Sequence, residues 1–465
     1  MKKFLNLKKV CILIAACILL SGCGAEANGT ENEQGTGNPM AAPNGRTVLT
    51  LAVTGNVTEA ATAVNTFNES NKEYFIQIQT YEAEDFSDDP GSEILTRLTM
   101  EILSGKGPDL VAWDQRCYSP SAASGRLMED LYTYMDGDQD FHREDYYENI
   151  LHAFELESGL YVLPTGFGIE TVCGRAEEIG WNRGVAETWE IGEMIMAFEQ
   201  SGAQWLTSNN SKELTFKFVC NGCIGNFVNW ETGECYFDTP AFEKLLAFSD
   251  TFPDHIVIDE NESYSQSLRD GKIFWEPKIL TGPWGIATSR ICFGTEDLRW
   301  PGYPVADGEK ELGGGVASPY GLTLSICRNS GNQDAAWEFI KSLLTPESQR
   351  EVYGIPLLKS VCEERIQDAL TVEYETVDGV KREKVKQEVI SYGDEPVPLA
   401  CITEKDAETF RSIIESTNRS YSGNSGMMVL IMEEARAYFE KGKDTAAVAQ
   451  IIQNRVSVYV AEMMK

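Results

Sequence analysis

Residues 48–53 read Val-Leu-Thr-Leu-Ala-Val, an apolar run of strand type that ends at the loop Thr54-Gly55-Asn56. After this run the hydrophobic spacing switches repeatedly between helical and strand periods. The switches predict a helix at 58–67, a strand at 75–81, a helix at 92–103 and a strand at 109–113. Strands that alternate with helices of about a dozen residues predict βαβ units and a mostly parallel sheet.

Three loops follow the predicted strands, at 54–56, 82–85 and 114–116. In open α/β sheets, ligands bind beyond the carboxyl ends of the strands, where such loops converge. Their polar side chains suit hydrogen bonds to a ligand, and a charged group makes the stronger bond. The candidate ligand-binding residues from these loops are Asn56, Asp114, Gln115 and Arg116.

The first residues of the chain predict an export signal. Four lysines within residues 2–9 precede the apolar run Val10 to Leu20, which is too short to remain as a transmembrane helix. The next residues, Ser21-Gly22-Cys23, resemble the end of the lipobox of bacterial lipoproteins, in which a lipid is attached to the cysteine. We therefore expect residues 1–22 to be removed and Cys23 to anchor the protein to the extracellular face of the cell membrane.

The composition limits the classes of partner. The chain has 465 residues and a formal net charge of −33, which becomes about −37 once the four signal lysines are removed. So acidic a surface repels phosphate backbones, and we expect no nucleic-acid partner. The length favours two domains over one, and no second apolar run reaches the ~20 residues of a membrane span.

Nine cysteines remain beyond the signal and the anchor, and an odd number cannot all be paired. Cys220-Asn-Gly-Cys223, with Cys235 nearby, leaves a metal or redox site open, against buried structural thiols as the alternative. A zinc site needs four ligands, and the whole chain has 3 histidines. We expect neither a metal nor a cofactor.

Extended segments and turns continue the pattern. The stretch 159–173 is extended but contains Pro164, Gly166 and Gly168, and we interpret it as a strand that crosses from one lobe to the other. A hairpin is predicted with its turn near Thr232-Gly233. A second hairpin, at Asp378-Gly379, falls in a polar insertion at 371–397.

Four motifs carry a resemblance to a known family. They occur in one consistent order, at 107–116 (Gly-Pro-Asp-Leu-Val-Ala-Trp-Asp-Gln-Arg), 271–285 (ending Gly-Pro-Trp-Gly), 313–324 (Gly-Gly-Gly-Val-Ala-Ser-Pro-Tyr-Gly-Leu-Thr-Leu) and 334–349 (from Asp-Ala-Ala-Trp to Ser-Gln). Together they resemble the family-1 extracellular solute-binding proteins of ABC importers, which are similar to maltose-binding proteins. The similarity runs from about residue 47 to 360.

This resemblance implies a two-lobed, type II periplasmic-binding-protein-like α/β fold. Each lobe would be a mostly parallel sheet flanked by helices, and crossing hinge strands would join the lobes. The expected organisation is a signal peptide at 1–22, a spacer at 23–45, an N-terminal lobe at 46–165 plus 278–325, and a C-terminal lobe at 166–277 plus 326–465. The implied function is capture of a sugar or oligosaccharide for delivery to a membrane permease.

A sugar site needs flat aromatic platforms together with hydrogen-bonding groups of fixed geometry. Trp284, at the Gly-Pro turn, and Trp113, at a strand's carboxyl end, are the candidate platforms, although both could instead pack a lobe. Secondary candidates are Phe167, Trp230 and Tyr320, each of which could instead be a core residue. The first loop has fewer charged residues than the family pattern, which argues against maltose-like specificity.

Other functions stay open at this stage. The 72 acidic residues are compatible with a paired-carboxylate glycosidase, but the chain has no nucleophile elbow, zinc-protease helix or P-loop, and we expect a non-enzyme. A sensing or adhesive role would use the same fold. A peptide, a polyamine or a phosphorylated polyol would be the alternative ligands. A phosphorylated ligand would need clustered Lys or Arg side chains. The predicted loops offer mainly Arg116, so a neutral oligosaccharide is favoured.

Overall fold

Strand β1 (Thr47–Val53) lies between β2 (Tyr74–Thr80) and β3 (Leu110–Ala112) and pairs in parallel with both. Helix α1 (Val57–Ser70) connects β1 to β2, and α2 (Pro90–Leu103) precedes β3. The βαβ units predicted from the alternating periods are therefore confirmed. Because β1 is buried on both faces at its carboxyl half, its sequence is continuously apolar there.

The computed structural model describes residues 45–55, 57–83, 90–114, 123–156, 158–180, 184–208, 210–230, 232–257, 263–308, 313–389, 395–420, 425–442 and 444–463. Cys23 and the predicted signal and spacer lie outside these residues.

The remaining strands are β4 (Leu163–Arg175), β5 (Val228–Asn229), β6 (Glu234–Cys235), β7 (Glu276–Leu280), β8 (Leu298–Arg299), β9 (Val316–Ile326), β10 (Ile355–Pro356), β11 (Tyr374–Val377), β12 (Val380–Glu383), β13 (Gln387–Val389) and β14 (Val397–Leu399). The remaining helices are α3 (Leu131–Gly137), α4 (Glu148–Ala153), α5 (Ala176–Ile179), α6 (Ile191–Ser201), α7 (Lys212–Cys223), α8 (Pro240–Ser249), α9 (Tyr264–Arg269), α10 (Trp284–Phe293), α11 (Gln333–Ser342), α12 (Pro346–Glu351), α13 (Lys359–Leu370), α14 (Glu404–Ser416), α15 (Ser425–Lys441) and α16 (Thr445–Met463).

The central sheet is mixed, with the strand order β10-β4-β9-β3-β1-β2. The pairing is parallel at the β2-β1-β3 edge, and the long strands β4 and β9 pair antiparallel with each other. Strands β10 and β7 pair with the edge of β4 opposite β9, and β8 pairs with the carboxyl end of β4. The α/β fold with two long crossing strands is thus confirmed, and the crossing strands themselves contribute antiparallel pairs.

Two large apolar clusters both include residues of the crossing strands. The first core contains Leu51 of β1 and Ile169 of β4, and the second core contains Phe216 of α7 and Val172 of β4. A smaller third cluster packs under α2. Since residues of β4 belong to both large cores, this strand passes from one to the other.

Side chains of α11, α13 and α14 belong to the first core. Phe339 of α11, for example, packs edge-to-face on Phe67 of α1, with ring centroids 5.3 Å apart. The chain therefore stays with the first core after β9 and reaches the second core only at α15. The domain boundaries, with residues 326–465 in the C-terminal lobe, stay a prediction.

The segment between α14 and α15 is a third crossing. The amide of Ala317 in β9 donates to the carbonyl oxygen of Arg419 at 2.8 Å. The Arg419 guanidinium is buried and donates to the carbonyl oxygens of Gly313 and Tyr303 and to Oδ1 of Asn226, at 2.8–3.0 Å. This buried cation holds the third crossing against the second core.

Cysteines of the described chain are free thiols. Cys220 and Cys223 lie on α7 and are fully buried, and burial raises the pKa of Cys223 to about 12. Burial therefore disfavours the thiolate that redox chemistry or metal binding requires. Among the described residues, no three His, Cys, Asp or Glu side chains are grouped so as to hold a metal ion. The pattern fits structural thiols.

Within the described ranges, no helix is long and apolar enough to cross a membrane.

A bulge in the β4–β9 pairing falls at Thr165, where the register shifts between Pro164 and Gly166. Opposite it, Gly321 has a φ of +69°, and the Thr165 hydroxyl accepts a hydrogen bond from the amide of Leu322 at 3.0 Å. A Cβ on Gly321 would lie 2.3 Å from Thr165 Oγ1. Only glycine satisfies both the left-handed backbone and this close approach.

We expect Gly321→Ala to lower the free energy of unfolding by about 2–3 kcal/mol, because it combines an unfavourable φ with a steric overlap at the bulge. Equilibrium urea unfolding measures the change. Gly331→Ala is the matched control, since no atom lies within 4 Å of its added Cβ, and it should stay within about 0.5 kcal/mol of the parent. Equal midpoints for the two variants would contradict the role given to the bulge.

Candidate functional site

A pocket of about 150 Å³ lies beyond the carboxyl ends of β1 and β3. Its lining comes from three separate parts of the chain, namely Val53, Gly55 and Glu59; Ala112, Trp113 and Asp114; and Pro319, Gly321, Leu322 and Thr323. This is the sheet edge at which the loops were predicted to converge. The crossing strand β9 supplies the third side.

Thr54 organises the loops at this edge. Its buried hydroxyl donates to the carbonyl oxygen of Ala112 at 3.2 Å and accepts a hydrogen bond from the amide of Asp114 at 2.8 Å. Asp114 packs so closely on the first loop that a Cβ on Gly55 would lie 2.5 Å from its Oδ2 atom. The ends of β1 and β3 are thereby fixed to each other, with the Asp114 carboxylate on the pocket wall.

Two carboxylates line the pocket. Asp114 follows β3, and Glu59 lies in the first turn of α1. Burial raises the pKa of the Glu59 carboxyl above its ordinary value. A hydrogen-bond donor or a cation that approaches such a carboxyl group favours its charged form. Two acidic side chains therefore belong to the pocket wall.

Trp113 is largely a core residue. Its side chain is 8% exposed and packs in the third cluster, and its indole Nε1 donates to Ser325 Oγ at 2.8 Å. It still forms part of the pocket lining. Trp113 is therefore both a packing residue and part of the pocket wall, and most of its ring is used for packing.

Trp284 is the first residue of α10 and is half-buried against the first core. It is not among the described residues that line the pocket. Trp230 follows β5 and packs partly on the second core, where its buried indole Nε1 has no hydrogen-bond partner among the described residues. The structure does not bring either tryptophan to the described pocket.

Phe167 is a core residue in this structure. Its side chain is fully buried in the first core and packs edge-to-face on Tyr147, with ring centroids 5.9 Å apart. The reason is the alternation of β4, which turns Phe167 and Ile169 to the same apolar side. The candidates Asn56, Gln115 and Arg116 lie outside the described residues, next to the pocket residues Gly55 and Asp114 in the chain.

Tyr320 lies on β9 between two residues of the pocket wall and packs on Tyr353, with ring centroids 5.6 Å apart. Tyr353 follows α12 and is 73% exposed. Burial, followed by the neighbouring Tyr353, raises the pKa of Tyr320 above its ordinary value. The pair forms a partly accessible aromatic surface over β4, where a Cβ on Gly168 would lie 2.6 Å from Tyr320 Cε2.

Sequence reasoning missed Glu59 and Tyr353. The signal for Glu59 was present, because the first turn of α1 directly follows a loop that was predicted to reach the site. Tyr353 carried no local signal, since only the β10–β4 pairing brings its turn next to β9.

No family model matches this sequence, and no curated protein matches it. Solved structures do match its fold. One is a family-1 extracellular solute-binding protein from Alicyclobacillus acidocaldarius, with a TM-score of 0.53 and 12% identity over 89% of this chain and 98% of that one. Another is the sugar-binding protein MalE from Xanthomonas citri, with a TM-score of 0.51 and 14% identity over 90% and 98% of the two chains.

At such low identities the likeness establishes the fold and not the ligand. It does cover nearly the whole length of both relatives. The resemblance drawn from the four sequence motifs is therefore confirmed at the level of architecture. The chain has the two-lobed α/β fold of the extracellular solute-binding proteins.

Proposed function

We propose that this protein is an extracellular solute-binding lipoprotein of an ABC import system, which captures a sugar or oligosaccharide and delivers it to a membrane permease. The observation that carries the proposal is the pocket beyond the carboxyl ends of β1 and β3, closed on its third side by the crossing strand β9. Ligands of open α/β sheets bind at this position. The role is binding rather than catalysis.

The pocket is smaller than the roughly 300–1,000 Å³ that is typical of a complete ligand site. We infer that it takes only one part of the solute, and that the rest lies against the Tyr320–Tyr353 surface. Trp284 and Trp230 remain proposed contacts on the opposite wall. A sugar has both apolar C–H faces and hydroxyls, which suits aromatic rings next to carboxylates.

Capture would follow from the two cores being joined by crossing segments. A solute that contacts both lobes only when they close shifts the population towards the closed form by its difference in affinity for the two forms. The closed form would be recognised by the permease. A lipid at Cys23 and a spacer over 23–45 would keep the protein near that permease at the extracellular face of the membrane.

The function is tested by thermal unfolding of the full-length chain with a panel of mono- and oligosaccharides. A ligand at a hundredfold excess over its Kd should stabilise the folded state by about 2.7 kcal/mol, which raises the melting temperature by several degrees. Peptides and spermidine serve as the comparison arms. A shift with these and with none of the sugars would contradict the proposal.

We expect Trp284→Ala to weaken sugar binding more than about tenfold, because a stacking platform is lost. Trp284→Phe is the matched control, since a flat apolar ring remains and most of the affinity should be kept. Isothermal titration calorimetry measures both variants. Unchanged affinity in Trp284→Ala would remove this residue from the site.

Tyr353→Ala should weaken sugar binding about tenfold while the melting temperature stays unchanged, because a ring that is 73% exposed contributes little to folding. Tyr374→Ala, on the β11–β12 hairpin, is the control; that tyrosine is 56% exposed and lies outside the proposed site. Calorimetry gives the affinity and scanning fluorimetry the stability. A loss of equal size in both variants would refute a specific role for Tyr353.

A further inference from the structure

Glu170 is an acidic side chain in the middle of the crossing strand β4. Its neighbour Ile169 packs in the first core, whereas Val172, two residues on, packs in the second. Because successive side chains of a strand point to opposite faces, Glu170 shares the face of Val172. It therefore points to the second-core side of the sheet, away from the apolar interior of the first core.

This face of β4 and β9 carries few bulky side chains. On β4 it bears Gly166, Gly168 and Glu170, and the residues directly opposite on β9 include Ser318 and Tyr320. We call it the glutamate face.

Solvent reaches one edge of the glutamate face. Ile279 of β7 is directly opposite Glu170 and is 55% exposed. No residue in the described ranges forms a hydrogen bond or an ion pair with the Glu170 carboxylate, and burial raises its pKa above the ordinary value. A largely buried carboxylate without a partner is unfavourable for folding, and such groups are concentrated at functional sites.

Ser318 is a second unsatisfied group on the same face. Its side chain is 4% exposed, and its Oγ has no hydrogen-bond partner among the residues that the structure describes. Since Ser318 is opposite Gly168, it lies on the diagonal from Glu170, a distance that one small polar group can bridge. In proteins generally, the large majority of buried side-chain polar groups form at least one hydrogen bond.

We infer that the glutamate face is a subsite for a protonated amine of a carbohydrate, with the Glu170 carboxylate as its counter-ion and Ser318 Oγ as a second acceptor. This inference rests on the proposed function and adds the chemical class of the solute. The Tyr320–Tyr353 surface, which borders the same face, would pack against the sugar ring.

The charges around the site favour an amine over other groups. The described pocket wall includes Glu59 and Asp114 and no Lys, Arg or His. An anionic group would be repelled by the Glu170 carboxylate, and a neutral hydroxyl would leave the Glu170 charge uncompensated when the lobes close around it. An ammonium group supplies both a positive charge and the donors that Glu170 and Ser318 lack.

The test uses the full-length chain and three β-1,4-linked disaccharides of matched size, namely the glucosamine dimer, its di-N-acetylated form and cellobiose. We expect calorimetry to give at least tenfold tighter binding of the glucosamine dimer. Glu170→Gln should abolish this preference, and Ser318→Ala should weaken amine binding about threefold. Glu375→Gln, which removes an exposed acid on the β11–β12 hairpin, should change neither.

Stability separates this role from a structural one. Because Glu170 is buried without a described partner, Glu170→Gln should keep or raise the melting temperature at neutral pH, whereas loss of a structural contact would lower it.

Neutral disaccharides that bind as tightly as the amine, or full amine affinity in Glu170→Gln, would overturn the inference and leave the proposed function intact. Absence of binding by every sugar would overturn both. Spermidine binding without any sugar binding would likewise overturn both, because the inferred amine belongs to a carbohydrate.

Discussion

The antiparallel pairing of β4 with β9 is the interaction on which the rest of the structure depends. These two strands contribute side chains to both large cores, so neither core can be completed without the pair. Hydrogen bonds of Gln349 stabilise the pair. It is fully buried, its amide nitrogen donates to the carbonyl oxygen of Thr165 at 2.8 Å, and its Oε1 accepts from the amide of Leu357 at 2.8 Å. The bulge that shapes the pocket wall is therefore held by a satisfied polar network.

Arg419 adds a second constraint by joining the third crossing to the second core. A buried guanidinium is costly unless its donors are satisfied. Here its acceptors are backbone carbonyls and one amide, and none of the described acidic residues pairs with it. Burial lowers the pKa of Arg419 to about 10, so it remains charged at neutral pH. Its acceptors come from separate segments, including Tyr303 and Gly313, so one side chain fixes the position of several chain crossings.

The same constraint explains the run Gly313-Gly314-Gly315. A Cβ on Gly314 would lie 1.7 Å from the carbonyl oxygen of Pro301, and one on Gly313 would lie 1.8 Å from that of Ser416. The backbones approach so closely that no larger residue fits. The motif that carried the family resemblance is thus a packing requirement of the crossings.

Local sequence was sufficient for the features that depend on local physics. The switch between helical and strand periods predicted β1 to β3, and therefore the sheet edge at which Thr54 and Asp114 meet. Turn chemistry predicted both hairpins, and the turn residues Asp378 and Gly379 indeed have φ values of +53° and +78°. These elements need no information from distant parts of the chain.

Features that depend on distant contacts could not be predicted in this way. Trp113 packs in the third cluster, where its indole donates to Ser325, and no periodicity reveals that partner. Phe167 was a secondary site candidate, with a core position as the alternative. Packing partners from distant parts of the chain decide which face of β4 is apolar. Phe167 lies on the face that packs in the first core, and Glu170 lies on the opposite face. Helix α11 joins the first core for the same kind of reason, since its aromatic partners Phe67 and Tyr134 lie on α1 and α3.

The acidic excess of the chain and the chemistry of the site lead to the same conclusion. Several basic side chains are committed to scaffold ion pairs, such as Arg290 with the buried Asp406 at 3.0 Å and Lys341 with Asp138 at 2.7 Å. These pairs hold α10 on α14 and α11 on the loop after α3, away from the described pocket wall. The remaining charge of the protein is strongly negative, and its field extends into any concave surface. An anionic solute would have to enter against that field, so the net charge of the chain fits the proposed capture of a neutral or cationic solute.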